Sequence, residues 1–191
     1  ILAALITPLE IDEYNMKKMA LLTFFVALAV AQSAFAANYF IANYETDFWN
    51  VAHSFNDAKI WKDQPEVMPT LLVDDIVSVS SKTNNSTINL DSAVSLAAFK
   101  LGRYGDASAS VATLNVTADL TTSGDFLIAA AGGSGSLFVD GATVAGGATT
   151  IGHATYSGVL SIDNGGIFET ARTFVMDTNS TVTVTDGILK M

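Results

Sequence analysis

Short runs in which apolar and polar residues alternate dominate the chain from about residue 71 onward. "DDIVSVSS", "STINLDSAVSLAAFKLG", "ASVATLNVTADL", "GDFLIA", "GSLFVDGATV", "GVLSIDNGGIF" and "STVTVTDGIL" are rich in β-branched residues and are punctuated by Gly, Asp, Asn and Ser. A period of two is the mark of a half-buried strand, and the small or polar punctuation breaks it into turns. The runs also recur. Aligned on the apolar residue before an Asp- and Gly-containing turn they give Val139, Ile162 and Val184, with fainter copies at Leu114 to Val116 and Ile88 to Leu90. Each interval of 22 or 23 residues has room for three strands of a few residues each. One such unit cannot bury its inner face alone, so a period in the twenties predicts stacked coils.

The expected fold is therefore all-β, a right-handed parallel β-helix over residues 73–191 with an N-terminal aromatic cap. Leucine-rich repeats share the period, but their regular Leu skeleton is missing. An antiparallel β-sandwich is the alternative, since "DG" and "NGG" can close hairpins. Those turns recur once per period, however, rather than once per strand pair. Alternation then assigns the side chains. Leu137, Val139, Leu160, Ile162, Val182 and Val184 are expected in the core, with Phe138 and the threonines at 181, 183 and 185 outside. Gly141, Gly165, Gly166 and Gly187 are expected at corners of positive φ, with Asp140, Asn164 and Asp186 bonding turn backbone. The last coil, at "DGILKM", is expected to be incomplete.

Composition divides the chain before that point. All 14 glycines lie at or after Gly102, and all 3 prolines at or before Pro69. Residues 37–72 form an aromatic, irregular segment, read as a cap over the first coil through Phe48, Trp49, Phe55 and Trp61. Within it "FWNVAHSF" suggests a helical turn or two, with Phe48, Val51, Ala52 and Phe55 on one face. Ahead of the cap, "MKKMALLTFFVALAVAQSAFA" (16–36) has two lysines, an apolar run and a small-x-small ending at Ala34-Phe35-Ala36. That is the pattern of a secretory signal peptide cut after Ala36, and its apolar run is short of the roughly 20 residues a bilayer span needs. Residues 1–15 are then an upstream, non-native extension.

Charge narrows the partners. The 191 residues carry 9 Lys plus Arg against 19 Asp plus Glu, a net charge of −10. Binding to nucleic acid needs clustered basic residues, which this chain lacks. There is no cysteine, so disulfides, thiolate metal sites and cysteine nucleophiles are excluded. The fold must hold by burial and backbone pairing.

Candidate chemistry is sparse, and the expectation is a non-enzyme with no catalytic, cofactor or metal residue. His53 and His153 are 100 residues apart in different regimes, and His153 reads as a solvent-facing turn residue. "AGGSGS" and "AGGATTIG" lack the phosphate-loop layout. Calcium is the one metal with a case. "GGSGSLFVD" (132–140) has some texture of Ca²⁺-binding nonapeptides but is not iterated, and Asp74-Asp75 reads as a solvated pair. A pectate-lyase-like enzyme needs a basic residue facing an acidic sugar, and beyond residue 100 only Arg103, Arg172 and Lys190 are available. A carbohydrate- or ice-binding face needs an outward Thr or aromatic array, which "TVTVT" starts but "SLFVD" and "VLSID" do not continue.

Together the leader, "FWNVAHSF", "LLVDDIVSV", "INLDSAVSLAAFKLG" and Gly-rich copies such as "SGVLSIDNGGIF" resemble secreted bacterial β-helix repeat proteins. These include autotransporter-type passengers and surface proteins with sorting tails. The resemblance covers roughly residues 45–191 and rests on repeat texture. It implies a secreted or cell-surface structural or adhesive scaffold whose partners are cell-surface or extracellular-matrix components. It also implies membrane contact only during secretion, and self-association into a filament or surface layer through an open coil end.

Overall fold

The computed structural model describes residues 36–41, 51–61, 68–80, 85–103 and 110–191. The 1–15 extension, the leader apart from Ala36, and the cap residues Phe48 and Trp49 lie outside the described residues. Two short strands come first, β1 (Asn38–Ile41) and β2 (His53–Ser54). Five coils of three strands follow. They are β3 (Ile76–Ser80), β4 (Ser86–Leu90) and β5 (Val94–Leu96); β6 (Ala98–Arg103), β7 (Val111–Val116) and β8 (Leu120–Thr122); β9 (Asp125–Ile128), β10 (Ser134–Asp140) and β11 (Thr143–Gly146); β12 (Ala148–Ile151), β13 (Gly158–Asp163) and β14 (Ile167–Thr170); and β15 (Phe174–Met176), β16 (Ser180–Val184) and β17 (Ile188–Lys190).

Each strand pairs with its counterpart one coil away, never with its chain neighbour. The first sheet runs β1-β3-β6-β9-β12-β15, the second β2-β4-β7-β10-β13-β16 and the third β5-β8-β11-β14-β17. All named pairings are parallel, so the molecule is a β-solenoid and the sandwich alternative falls. A sandwich would need antiparallel hairpins. The repeat alignment coincides with the hydrogen-bond register. Leu90, Val116, Val139, Ile162 and Val184 form one rung column, and Ile88, Leu114, Leu137, Leu160 and Val182 form another.

Inside the tube these columns are fully buried through coil four. Each buried Leu, Ile, Val or Phe contributes about 1.5–3 kcal/mol. Aromatic volume is shared between walls. In the first sheet Phe99 stacks on Phe126 at 5.6 Å. At the next rung Thr149 takes the column position, and Phe168 reaches from the third sheet to meet Phe126 edge-on at 5.7 Å. A phenylalanine at both Thr149 and Phe168 would overfill the section.

Val184 corrects the sequence expectation of a core residue, for it is 44% exposed. Val182 is half-buried and packs on the core from its edge. Burial of an inward side chain requires a coil on each side, and β16 pairs only with β13 among the described residues.

The corner glycines divide into two kinds. Gly141 and Gly165 have φ of +67° and +77°, where a Cβ is strained. Gly166 and Gly187 do not have positive φ; that conformation falls on Asn164 (+50°) and Asp186 (+55°). Their requirement is space: a Cβ on Gly166 would sit 2.7 Å from the Val139 carbonyl oxygen, and one on Gly187 2.6 Å from Ile162 Cγ2.

At the first coil, Phe55 and Trp61 are buried and meet edge-on at 5.0 Å, with Trp61 Nε1 donating to the Phe55 carbonyl at 3.2 Å. The helical turn expected in "FWNVAHSF" is not formed by its described part. His53–Ser54 extends the second sheet alongside β4, and Val51 is exposed. Pairing with an existing strand edge outweighs the weak helical spacing of a short segment.

Candidate functional site

Alternation that buries one set of side chains presents the other in outward columns. On the second sheet the outward column is Asn89, Asn115, Phe138, Ser161 and Thr183. Asn115 Nδ2 donates to Asn89 Oδ1 at 2.9 Å, a rung-to-rung amide contact. Phe138 interrupts the polar column with a ring that is 41% exposed. It stands in a shallow groove with Asn115, Thr117, Ser161, Asp140, Asp163 and Asn164. An open ring beside amides and carboxylates can pack on an apolar ligand face while the polar groups take its hydroxyls.

At this face Asp140 bonds the Asn164 side chain of the next coil rather than turn backbone, and Asp163 is the acid that accepts a turn N–H. Asp140 and Asp163 are paired in register, and Asn164 Nδ2 donates to Asp140 Oδ1 at 2.7 Å across the coils. Asp163 Oδ1 accepts from the Asn164 N–H at 2.9 Å. Asp186 is exposed at the next corner. Among the described residues no group of three or more His, Asp or Glu stands close enough to hold a metal ion.

A second surface lies at the corner between the third and first sheets. Thr121, Ala145, Glu169 and Lys190 are one outward column of the third sheet. Gly146, Gly147 and Ala171 leave a low floor beside it, and Arg172 stands on the rim of the resulting groove of about 500 Å³. Lys190 Nζ lies 3.4 Å from Glu169 Oε2, an exposed pair of small energetic weight. Two of the three basic residues beyond position 100 thus converge on one groove, which linear spacing did not reveal. Residues a coil apart become neighbours only by stacking.

His153 is exposed in the turn between β12 and β13, where its backbone exchanges hydrogen bonds with Tyr156 at 3.1 Å. His53 Nδ1 lies 3.0 Å from Asp57 Oδ2. The backbone N–H of Lys59 holds the Asp57 carboxyl below its ordinary range; partial burial opposes this and His53 adds to it.

Asp74 and Asp75, expected to be a solvated pair, differ sharply. Asp74 is exposed, whereas Asp75 is 1% exposed. Asp75 Oδ1 accepts the Ala37 backbone N–H at 2.9 Å and Oδ2 accepts that of Leu72 at 2.7 Å. The setting between "LLV" and "IVSV" is common to both acids, so the sequence carried no signal that separates them; the buried one must find donors.

Fold and surfaces together define the class, a β-solenoid with grooves on its outward faces. Compared with protein-family models, with curated proteins and with solved structures, the chain matches none.

Proposed function

We propose that this protein is a secreted structural or adhesive scaffold, with its outward columns serving as contact surfaces for cell-surface or matrix components. The observation that carries this reading is the unbroken register of the second sheet's rungs through five coils. Every strand that pairs on both sides is tied to two neighbours. A scaffold of this kind contributes length and an ordered array of outward side chains. Phe138 and its Asn and Asp neighbours are the contact patch best suited to a sugar face. Self-association belongs to the reading through the edge of β15, β16 and β17, where Val175, Met176, Val184 and Ile188 are exposed. At the other end Ile41, Phe55, Ile60 and Trp61 are buried.

The test is expression of the chain with its leader, recovery of the secreted protein, and a glycan-array measurement beside electron microscopy. Export, retention on glycans that falls with Phe138→Ala, or ordered assemblies, support the scaffold. Retention in the cytosol with the leader uncut overturns secretion; exported monomers that neither bind nor assemble overturn the adhesive role.

A second reading rests on the convergence of Arg172 and Lys190 beside Glu169. Two cations over a floor of small residues suit an acidic polysaccharide, and a pectate-lyase-like activity would use them there. It requires calcium-dependent depolymerisation of a polyuronate that is lost in Arg172→Ala. An inert polyuronate removes it.

A further inference from the structure

The carboxylate of Asp75 is buried, and among the described residues it has two backbone N–H donors and no cationic side chain as partner. One donor is the nitrogen of Ala37, at 2.9 Å. That nitrogen belongs to the bond at which the small-x-small ending of the leader predicts cleavage. The compact unit that contains the solenoid begins at Ala36, one residue before it. We propose that Asp75 is the acceptor for the α-ammonium group released when the Ala36–Ala37 bond is cut. Removal of the leader thereby converts an amide–carboxylate hydrogen bond into a part-buried ion pair that fastens β1 to the solenoid. The proposal rests on the secretion reading above.

The chemistry balances as a hydrolysis by a signal peptidase. Water adds across the peptide bond, Ala36 leaves as a carboxylate, and the Ala37 nitrogen becomes an ammonium group near neutral pH. Its position needs no rearrangement. The Ala37 carbonyl accepts the Ile76 N–H at 2.8 Å, and Asn38 opens the parallel pairing of β1 with β3. Asp75 is held independently: its N–H donates to the Leu72 carbonyl at 3.0 Å and its carbonyl accepts the Ala97 N–H at 2.8 Å. Ala36 is exposed and Ala37 half-buried, so one ammonium hydrogen points at the carboxylate and the others face water. The amide–carboxylate bond is already charge-assisted, and an ammonium donor adds the Coulomb attraction of a full positive charge, which is stronger away from solvent.

The other ionisable groups on the packed elements are Tyr39 on β1, Asp74 beside the carboxylate, and Lys100 and Arg103 on β6. Arg103 is engaged with Ser78 Oγ at 3.1 Å and with the Phe40 ring. Burial, and secondarily the charge of Asp75, raise the Tyr39 phenol above its ordinary value, so Tyr39 remains neutral where the amine titrates. A paired amine titrates above its ordinary range of about 7.7–8.0. Its stabilisation is fully present below that range and is lost as pH rises through the folded-state value.

The experiment starts with intact mass and N-terminal sequencing of the secreted protein, with Ala37 expected as the first residue. The α-amine is then acylated at pH 7.5 in the folded protein and in Asp75→Asn. The expected result is a reaction about tenfold slower in the wild-type protein, the equivalent of one pH unit of protection. For the case in which Asp75→Asn does not fold, the wild-type chain is compared with one that retains Ala36, which displaces the ammonium by one residue. The unfolding constant in urea at pH 7 is then expected to be about tenfold larger for the longer chain, the difference vanishing at pH 10. A chain that begins elsewhere overturns the cleavage reading on which the proposal stands. A chain that begins at Ala37 with equal amine reactivity, or with equal unfolding constants, overturns the ion pair alone.

Discussion

Thr149 turns its Oγ1 into the core, where it has no hydrogen-bond partner among the described residues. The neighbouring atoms are those of Phe126 and Gly146. An orphan buried hydroxyl carries a desolvation penalty of about 1–3 kcal/mol, so Thr149→Val is expected to stabilise the protein by about 1 kcal/mol in urea denaturation. The corner glycines make the opposite case. Gly165→Ala meets no atom within 4 Å but must hold φ +77°, a strain of about 1–2 kcal/mol that asparagine relieves. Gly166→Ala meets the Val139 carbonyl oxygen at 2.7 Å instead, and asparagine there is no better. The contrast Gly165→Asn against Gly166→Asn, near neutral against destabilising, is read from melting curves. Asp57 supplies an acid limb. Its lowered pKa adds stability that is present above the ordinary carboxylate value and lost as pH falls through the folded one. Asp57→Asn is expected to flatten that limb in an acid titration of stability.

A single strand shows how alternation separates stability from contact. In β10, Leu137 and Val139 are buried while Phe138 between them is exposed. Leu137→Ala is expected to destabilise by about 2–5 kcal/mol. Phe138→Ala should stay within about 0.5 kcal/mol while losing whatever glycan retention the face provides. The corresponding position along a column matters as much as the residue type. Val139 and Val184 occupy one rung column, yet among the described residues β10 pairs on both sides and β16 on one. Val184→Ala is therefore expected to have a smaller effect on the urea midpoint than Val139→Ala. Strand positions and inward sets are legible in the sequence because a period of two depends only on neighbouring residues. The strand character of His53–Ser54 is not, because it is imposed by β4.

At the scale of the molecule, stability is a chain of nearest-neighbour terms, since each coil touches only the coils beside it. Local opening then follows position. Amides in β7 and β10, each paired on both sides, are expected to exchange with deuterium last. Those of β16 and β17, at the edges of their sheets, are expected to exchange first, and hydrogen-exchange mass spectrometry would give the order. Equal protection from β7 to β17 would mean that the last coil is covered in solution. The acidic net charge of −10 sets the solvent surface against nucleic acid, and the two local cations, Arg172 and Lys190, stand out from it in one groove.

By itself the sequence determined the period, the parallel stacking that a period in the twenties demands, and the inward residues Leu137, Val139, Leu160 and Ile162. It also marked the corners at Gly141, Asn164 and Gly165. All of these follow from spacing along a few consecutive residues or from self-similarity along the chain. Tertiary structure decided the exposure of Val184, the steric role of Gly166 and Gly187, the meeting of Glu169, Arg172 and Lys190, and the burial of Asp75 against Ala37. Each of these depends on atoms brought together from distant parts of the sequence, with Ala37 and Asp75 38 residues apart. Only the stacking of one coil on the next brings such atoms within van der Waals or hydrogen-bond reach.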